Sequence, residues 1–186
     1  MEKDKRILIH TCCAPCLCYP LKALREEGFE PWAFWYNPNI HPYTEYERRK
    51  QSFLEFTERE GIRVLWQDEY DLEQFLNNTA FRQELRCRYC YSTRLEATAI
   101  FARNGNFGRF TSTLLYSKFQ NHQLINEVGR NYAKKYGVEF YYHDFREGWK
   151  EGIQISKKLN LYRQQYCGCI YSEKERYHSP EDRKHN

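Results

Sequence analysis

The stretch Thr11-Cys12-Cys13-Ala14-Pro15-Cys16-Leu17-Cys18 puts four of the chain's eight cysteines directly after an apolar run, Ile7-Leu8-Ile9. The other four come as two close pairs, Cys87-Arg88-Tyr89-Cys90 and Cys167-Gly168-Cys169. A chain of 186 residues suits one domain around one core. Three thiol clusters spread over such a chain constrain its fold strongly if they meet at one place and hold metal. That is the reading adopted for them.

The redox setting follows from the ends of the chain. Met1-Glu2-Lys3-Asp4-Lys5-Arg6 is charged, and the apolar run after it is too short for a signal peptide. No segment approaches the ~18 apolar residues of a membrane span. The expectation is a cytoplasmic protein whose thiols stay reduced. Eight cysteines in that setting argue for metal or catalysis rather than a disulfide framework. The formal charge of +4 is a mild basic excess that permits a nucleic-acid partner. Sixteen tyrosines offer flat faces for stacking on bases as well as bulk for a core.

Strand and helix patterns alternate about five times. Arg6–Thr11 reads as a buried strand, and Pro15 with Leu17, Leu21 and Leu24 as a helix that stops at Gly28. Glu30–Tyr36 is a second strand, followed by a turn-rich loop, Asn37-Pro38-Asn39-Ile40-His41-Pro42, and a long charged helix over Tyr43–Glu60. Ile62–Trp66, Phe110–Leu115 and Val138–Tyr142 are the remaining strands, with helices over Ser92–Arg103, Asn121–Tyr136 and Lys150–Leu161. The alternation implies an α/β fold: a parallel sheet of about five strands with helices on both faces. From Ser172 the chain is almost wholly charged and polar. Residues 1–171 are therefore read as a single metal-binding domain and 172–186 as a frayed tail.

In such a sheet the functional crevice lies beyond the carboxyl ends of the strands. The first cysteine loop, Asp71 and Asp144 each follow a strand and should open on that rim. Cys13-x-x-Cys16 and Cys87-x-x-Cys90 have the spacing with which two thiolates bind one centre from a tight turn. Gly168 lets the backbone bend between Cys167 and Cys169. Adjacent Cys12 and Cys13 should diverge and serve two neighbouring centres. Spacing alone does not choose between zinc and iron. The stretch argues against a phosphate-cradling loop and ordinary ATP binding here, because it has no glycine, loses an N–H at Pro15, and would repel an anion through any thiolates.

Six ordered motifs go beyond spacing: Thr11–Cys16, Tyr36–Pro42, Cys87–Tyr91, Thr111–Leu115, His143–Arg146 and Tyr166–Ser172. In this order the chain resembles the cobalamin-independent epoxyqueuosine reductases, the QueH family. The resemblance implies a Rossmann-like sheet related to the PP-loop nucleotide hydrolases, with the phosphate loop replaced by a Cys-rich metal loop. It implies an oxidoreductase of the final step of queuosine biosynthesis, removing the epoxide oxygen of epoxyqueuosine at the wobble position of tRNA. It implies a 4Fe-4S cluster with a second adjacent metal ion, iron, and an external electron donor. Cys12, Cys13, Cys16, Cys87, Cys90, Cys167 and Cys169 match the family's metal-binding positions; Cys18 departs from them and is read as dispensable.

The remaining candidates are read beside plainer roles. Asp144 and Asp71 are the catalytic carboxylates, as acid or ligand, yet each precedes Glu147 or Gln74 at the spacing of a helix cap. His10, His41, Thr111 and Thr113 could face substrate or belong to the structure. Arg146, Arg163 and Tyr166 could contact the anticodon loop through phosphate pairing and stacking, or be an aromatic edge with solvated charge. The alternative to the reductase is a zinc-stabilised RNA-binding module without redox catalysis.

Overall fold

The computed structural model describes residues 5–178. Five strands, β1 (Arg6–His10), β2 (Glu30–Trp35), β3 (Val64–Trp66), β4 (Arg109–Ser112) and β5 (Glu139–Phe140), form one sheet in the order β3-β2-β1-β4-β5. Every neighbouring pair is parallel, with Ile9 opposite both Ala33 and Thr111. β1 is central, and Ile7, Leu8 and Ile9 are fully buried. A strand covered on both faces needs a continuous apolar run rather than alternation, and RILIH supplies one.

Among the described residues seven α-helices flank the sheet: α1 (Ala14–Glu26), α2 (Tyr43–Glu60), α3 (Leu72–Thr79), α4 (Arg86–Asn104), α5 (His122–Tyr136), α6 (Trp149–Lys158) and α7 (Ile170–Tyr177). α1 packs against α2 and α6, while α4 packs against α3 and α5. The α1–α6 layer is close: a Cβ at Gly152 would overlap the Tyr116 hydroxyl, and one at Gly148 the Tyr19 ring. α2 and α5 end where expected, on Gly61 and Gly137 in the left-handed region (φ +64° and +69°).

The chain leaves β1 towards β2 on one side and returns to β4 on the other. The strand order therefore reverses between β1 and β4, the position at which such sheets bind ligands. The cysteine loop follows β1 at that point.

Several boundaries differ from expectation: the helix expected from Ser92 begins at Arg86, the strand expected from Ile62 begins at Val64, and three further differences bear on the site and the domain limits. β4 ends at Ser112, because the Ser112 hydroxyl accepts from the Leu114 N–H at 3.1 Å and turns Thr113–Tyr116 into a 3-10 helix. β5, an edge strand paired only to β4, is two residues long. The division expected at 171/172 falls inside α7, so residues 172–177 are helical; the part of the expected tail at 179–186 lies outside the described residues.

Candidate metal centre

β1 delivers the first thiols. The Thr11 N–H extends the ladder to the Phe34 carbonyl at 2.9 Å, and Asn37 Nδ2 donates to the Thr11 carbonyl at 2.9 Å. Cys13, still extended (φ −174°, ψ 160°), is the N-cap of α1, and Cys16 lies in the first turn of that helix. The expected divergence of Cys12 and Cys13 does not occur. Their sulfurs lie 3.8 Å apart, and the Sγ atoms of Cys12, Cys13 and Cys16 all fall within 4.8 Å of one another. The chain changes from strand to helix at Cys13, which brings both neighbouring side chains and the thiol one turn on to the same point.

The spacing suits one ion. Thiolates about 2.3 Å from a tetrahedral metal lie ~3.8 Å from each other. Cys12 is the readiest of the three to ionise: hydrogen bonds from Cys13 and Cys16 hold it well below the usual thiol range, with help from the positive charge of Arg94. Burial pushes Cys13 up, and its contacts with Cys12 and Cys13 push Cys16 up. The first turn of α1 adds the positive end of a helix. Thr113 Oγ1 lies 3.4 Å from Cys12 Sγ and accepts from the Cys12 N–H at 3.1 Å. Gln164 Nε2 donates to Cys16 Sγ at 3.2 Å.

The other four thiols form a looser set. Cys87 and Cys90 occupy the first turns of α4, and Cys169 is the N-cap of α7. Burial raises both Cys87 and Cys90, and the two pairs face each other closely enough that charge on Cys167 and Cys169 adds to the rise. Among the described residues, no three of these four meet the tight spacing of the first trio. Gln120 Nε2 donates to Cys167 Sγ at 3.0 Å, and the Asn39 side chain bonds Cys90. Cys18 stands apart, donating to the Ala14 carbonyl at 3.5 Å, with burial pushing its thiol up to about 12.

Two buried arginines link the sets. Arg49, 1% exposed, pairs with Glu45 at 2.7 Å and donates to the carbonyls of Tyr166 (3.0 Å) and Cys167 (2.8 Å). Arg94, 2% exposed, donates through Nε to Asn39 Oδ1 at 3.0 Å and has no carboxylate partner among the described residues. Its charge is felt by Cys12, Cys90 and Cys167. A buried cation without an acid is costly unless anions lie beside it, and ionised thiols would be those anions. Sequence reasoning missed Arg49, Arg94, Asn39, Gln120 and Gln164. A cation on an otherwise apolar helix face was the available signal for the two arginines; the three amides carry none.

The carboxylates expected to be catalytic are not among the thiols. Asp71 caps α3, accepting from the Gln74 N–H at 2.8 Å. Asp144 accepts from the Arg146 N–H (3.2 Å) and from its guanidinium (2.7 and 2.5 Å), which holds the carboxyl down at about 2. Arg146 is thereby engaged as well. Asp144 opens a 3-10 turn, Phe145–Gly148, rather than the capping box with Glu147. His10 is buried between Ser112 Oγ (2.9 Å) and the Tyr36 carbonyl (3.1 Å), and burial lowers it to about 3. His41 ties its loop to the last cysteine pair. Its N–H donates to the Gly168 carbonyl at 2.8 Å, its Nδ1 accepts from the Ile170 N–H at 3.3 Å, and its carbonyl accepts from the Tyr166 hydroxyl at 2.5 Å. Thr111 and Thr113 are fully buried, and Thr111 Oγ1 has no hydrogen-bond partner among the described residues. Arg163 is exposed.

The family model described as "Epoxyqueuosine reductase QueH" matches residues 7–175. Among curated relatives, the epoxyqueuosine reductase QueH of Dehalococcoides mccartyi is 38% identical over 175 residues, covering 94% of this chain and 96% of that one. The protein of the same name from Thermotoga maritima is 38% identical over 180 residues, covering 91% of each. Among solved structures, one titled as a predicted subunit of tRNA methyltransferase from Methanocaldococcus jannaschii superposes with a TM-score of 0.50 at 14% identity, over 96% of this chain and 88% of that one. It shares the α/β fold.

Proposed function

The chain belongs to the epoxyqueuosine reductase QueH family, and on that premise we propose that its seven clustered thiols hold redox-active iron beside a tRNA-binding rim. It is an oxidoreductase of queuosine biosynthesis. The reaction takes the epoxide, two electrons and two protons to an alkene and water. The observation that carries the proposal is the convergence of Cys12, Cys13 and Cys16 at the sheet's switch point, with the buried Arg94 charge felt both there and by a second thiol set.

The donor set fits such centres. All eight cysteines are free. The tight trio Cys12, Cys13 and Cys16 would hold a single iron ion, and the wider quartet Cys87, Cys90, Cys167 and Cys169 a 4Fe-4S cluster, which takes up to four thiolates. When bound, iron supplies the electron transfer and Lewis acidity that epoxide deoxygenation needs. The chain's own residues do the rest. Arg49 and Arg94 offset the thiolate charge, and Thr113, Gln120, Gln164 and Asn39 donate to individual sulfurs, fixing their orientation. Asp71, the cap of α3 whose charge reaches Tyr36 and Tyr89, would be the rim carboxyl nearest to substrate. Asp144 orders Arg146 at the far side of the rim, from which Arg146, Arg163 and Tyr166 would meet the anticodon loop. An external donor would supply the electrons. No helix among the described residues is long and apolar enough to cross a membrane, and the free thiols suit the cytoplasm.

Anaerobic purification with iron, sulfide and zinc analysis, followed by incubation with epoxyqueuosine tRNA and a chemical reductant, tests the proposal. Iron with sulfide, and queuosine in the digested tRNA, is the expected result. A colourless zinc protein that leaves the epoxide intact overturns it in favour of an RNA-binding module.

A further inference from the structure

Of the eight cysteines, Cys87 and Cys167 are exposed, Cys90 and Cys169 are half-buried, and the rest are buried. Cys87 lies within electrostatic reach of Cys167. The wider thiol quartet therefore has one edge at the protein surface. Electron transfer falls off steeply with distance, so electrons brought from outside have their shortest way in at that edge.

What surrounds the edge is apolar. Phe81 and Phe119, 96% and 85% exposed, are the most exposed large apolar side chains among the described residues. Phe81 begins the segment that leads to Cys87, and Leu85, also exposed, stands two residues before that cysteine. Phe119 precedes Gln120, whose Nε2 donates to Cys167 Sγ at 3.0 Å. Gln120 Oε1 accepts from the Tyr91 hydroxyl at 2.7 Å, on the helix that carries Cys87, so both rings flank the same edge. Single exposed apolar residues are ordinary, but several around one redox edge mark an interaction surface. Phe81 also holds the left-handed region (φ +58°), a conformation that gathers at functional sites.

Charge narrows the partner. Arg82 and Lys118 stand next to the two rings and have no carboxylate partner among the described residues; Lys118 lies over the Trp149 ring at 5.6 Å. Glu84 is the acid of the same segment without a cation. Arg86 and Arg88 are already paired, with Glu175 at 2.5 Å and Glu127 at 3.0 Å. Two free cations against one free acid leave a mild positive excess, which suits an acidic protein and falls short of the cation density that an RNA backbone takes. An apolar centre with a charged rim is the anatomy of a protein interface.

We propose that the surface around Cys87 and Cys167, anchored by Phe81, Leu85 and Phe119 and rimmed by Arg82 and Lys118, is the docking site of a small acidic one-electron carrier protein. The inference rests on the reductase reading above and gives its external donor a place and a class. Each docked carrier gives up one electron. Two reduced carriers and two protons then convert one epoxide to alkene and water, leaving two oxidised carriers.

The test measures anaerobic binding of two fluorescein-labelled carriers, a reduced flavodoxin and a reduced two-cluster ferredoxin, to the iron-loaded protein. The wild type is expected to bind at least one of them, more tightly at low salt. Phe81→Asn/Phe119→Ser should weaken that binding at least tenfold, the scale of lost anchor residues, and Arg82→Glu/Lys118→Glu should abolish the gain at low salt. Both variants should keep their iron and sulfide and be reduced by dithionite, which needs no docking, at the wild-type rate. A wild type that binds neither carrier, or variants that bind as the wild type does, overturns the docking site and leaves the reductase reading intact. So does a ring variant that weakens an anticodon stem-loop RNA tenfold and the carriers not at all. A protein isolated with zinc and no iron overturns both.

Discussion

Arg49 donates from Nη1 to the carbonyl oxygen of Cys167 at 2.8 Å, so a helix in the first third of the chain fixes a thiol near its end. The same guanidinium bonds Glu45, and the Glu45 carboxylate also accepts from the Tyr162 hydroxyl at 2.5 Å. Both partners are almost wholly buried. Arg49→Met would strand the carboxylate in the core and release the cysteine loop. The expected loss is about 3–5 kcal/mol of unfolding free energy in urea. Arg49→Met/Glu45→Gln should recover part of it, because no unpaired charge is then left.

Cys18 and Cys16 are two positions apart in one helix and should respond oppositely to truncation. Cys16 Sγ belongs to the trio, whereas Cys18 turns back to the Ala14 carbonyl. Cys18→Ala is expected to keep full iron loading and lose about 1 kcal/mol of stability, the scale of a small buried deletion. Cys16→Ala should lose the trio-bound iron. Iron counted per chain in the two variants separates them.

His41 makes the fold acid-sensitive. Its buried imidazole is lowered from 6.5 to about 4 by burial first and the Arg94 charge second. Nδ1 accepts from the Ile170 N–H, so the ring must be neutral to hold that bond. The unfolded chain takes up the proton first. The associated stability is full above pH 6.5 and is lost as the pH falls towards 4, up to about 3 kcal/mol. Urea midpoints across that range should drop, and His41→Gln should flatten the slope by one group's share. An unchanged slope in the variant would place the acid sensitivity elsewhere.

The fold was legible where residue type alone carries the signal. Ile7–Ile9 mark the central strand, and Gly28, Gly61 and Gly137 end helices where they were expected to. The thiol clusters stand out because cysteine is scarce and closely spaced. Their supporting charges do not. Arg49 shares a helical stripe with Tyr46, Phe53 and Phe56, and Arg94 one with Tyr91 and Leu95, where pattern reading assigns core. The meeting of Cys12 and Cys13 depends on the backbone angles of one residue, which periodicity cannot supply. α7 is short, charged and buries no residue fully, so nothing in its composition distinguished it from a tail.

Phe81 sets the last expectation. It is 96% exposed and holds φ at +58°, the left-handed region, between α3 and the helix that carries Cys87 and Cys90. An aromatic side chain there crowds its own backbone at a cost of roughly 1–2 kcal/mol, and with so little of the ring covered, its burial returns almost nothing. Glycine removes the crowding but loosens the unfolded chain, whereas asparagine tolerates the left-handed region with a smaller entropy penalty. Phe81→Asn should therefore stabilise the protein by about 0.5–1 kcal/mol in urea, and Phe81→Gly by less. If both variants instead lose stability, the ring is covered in solution by a partner surface, and the loss of that contact outweighs the gain from relieving the backbone.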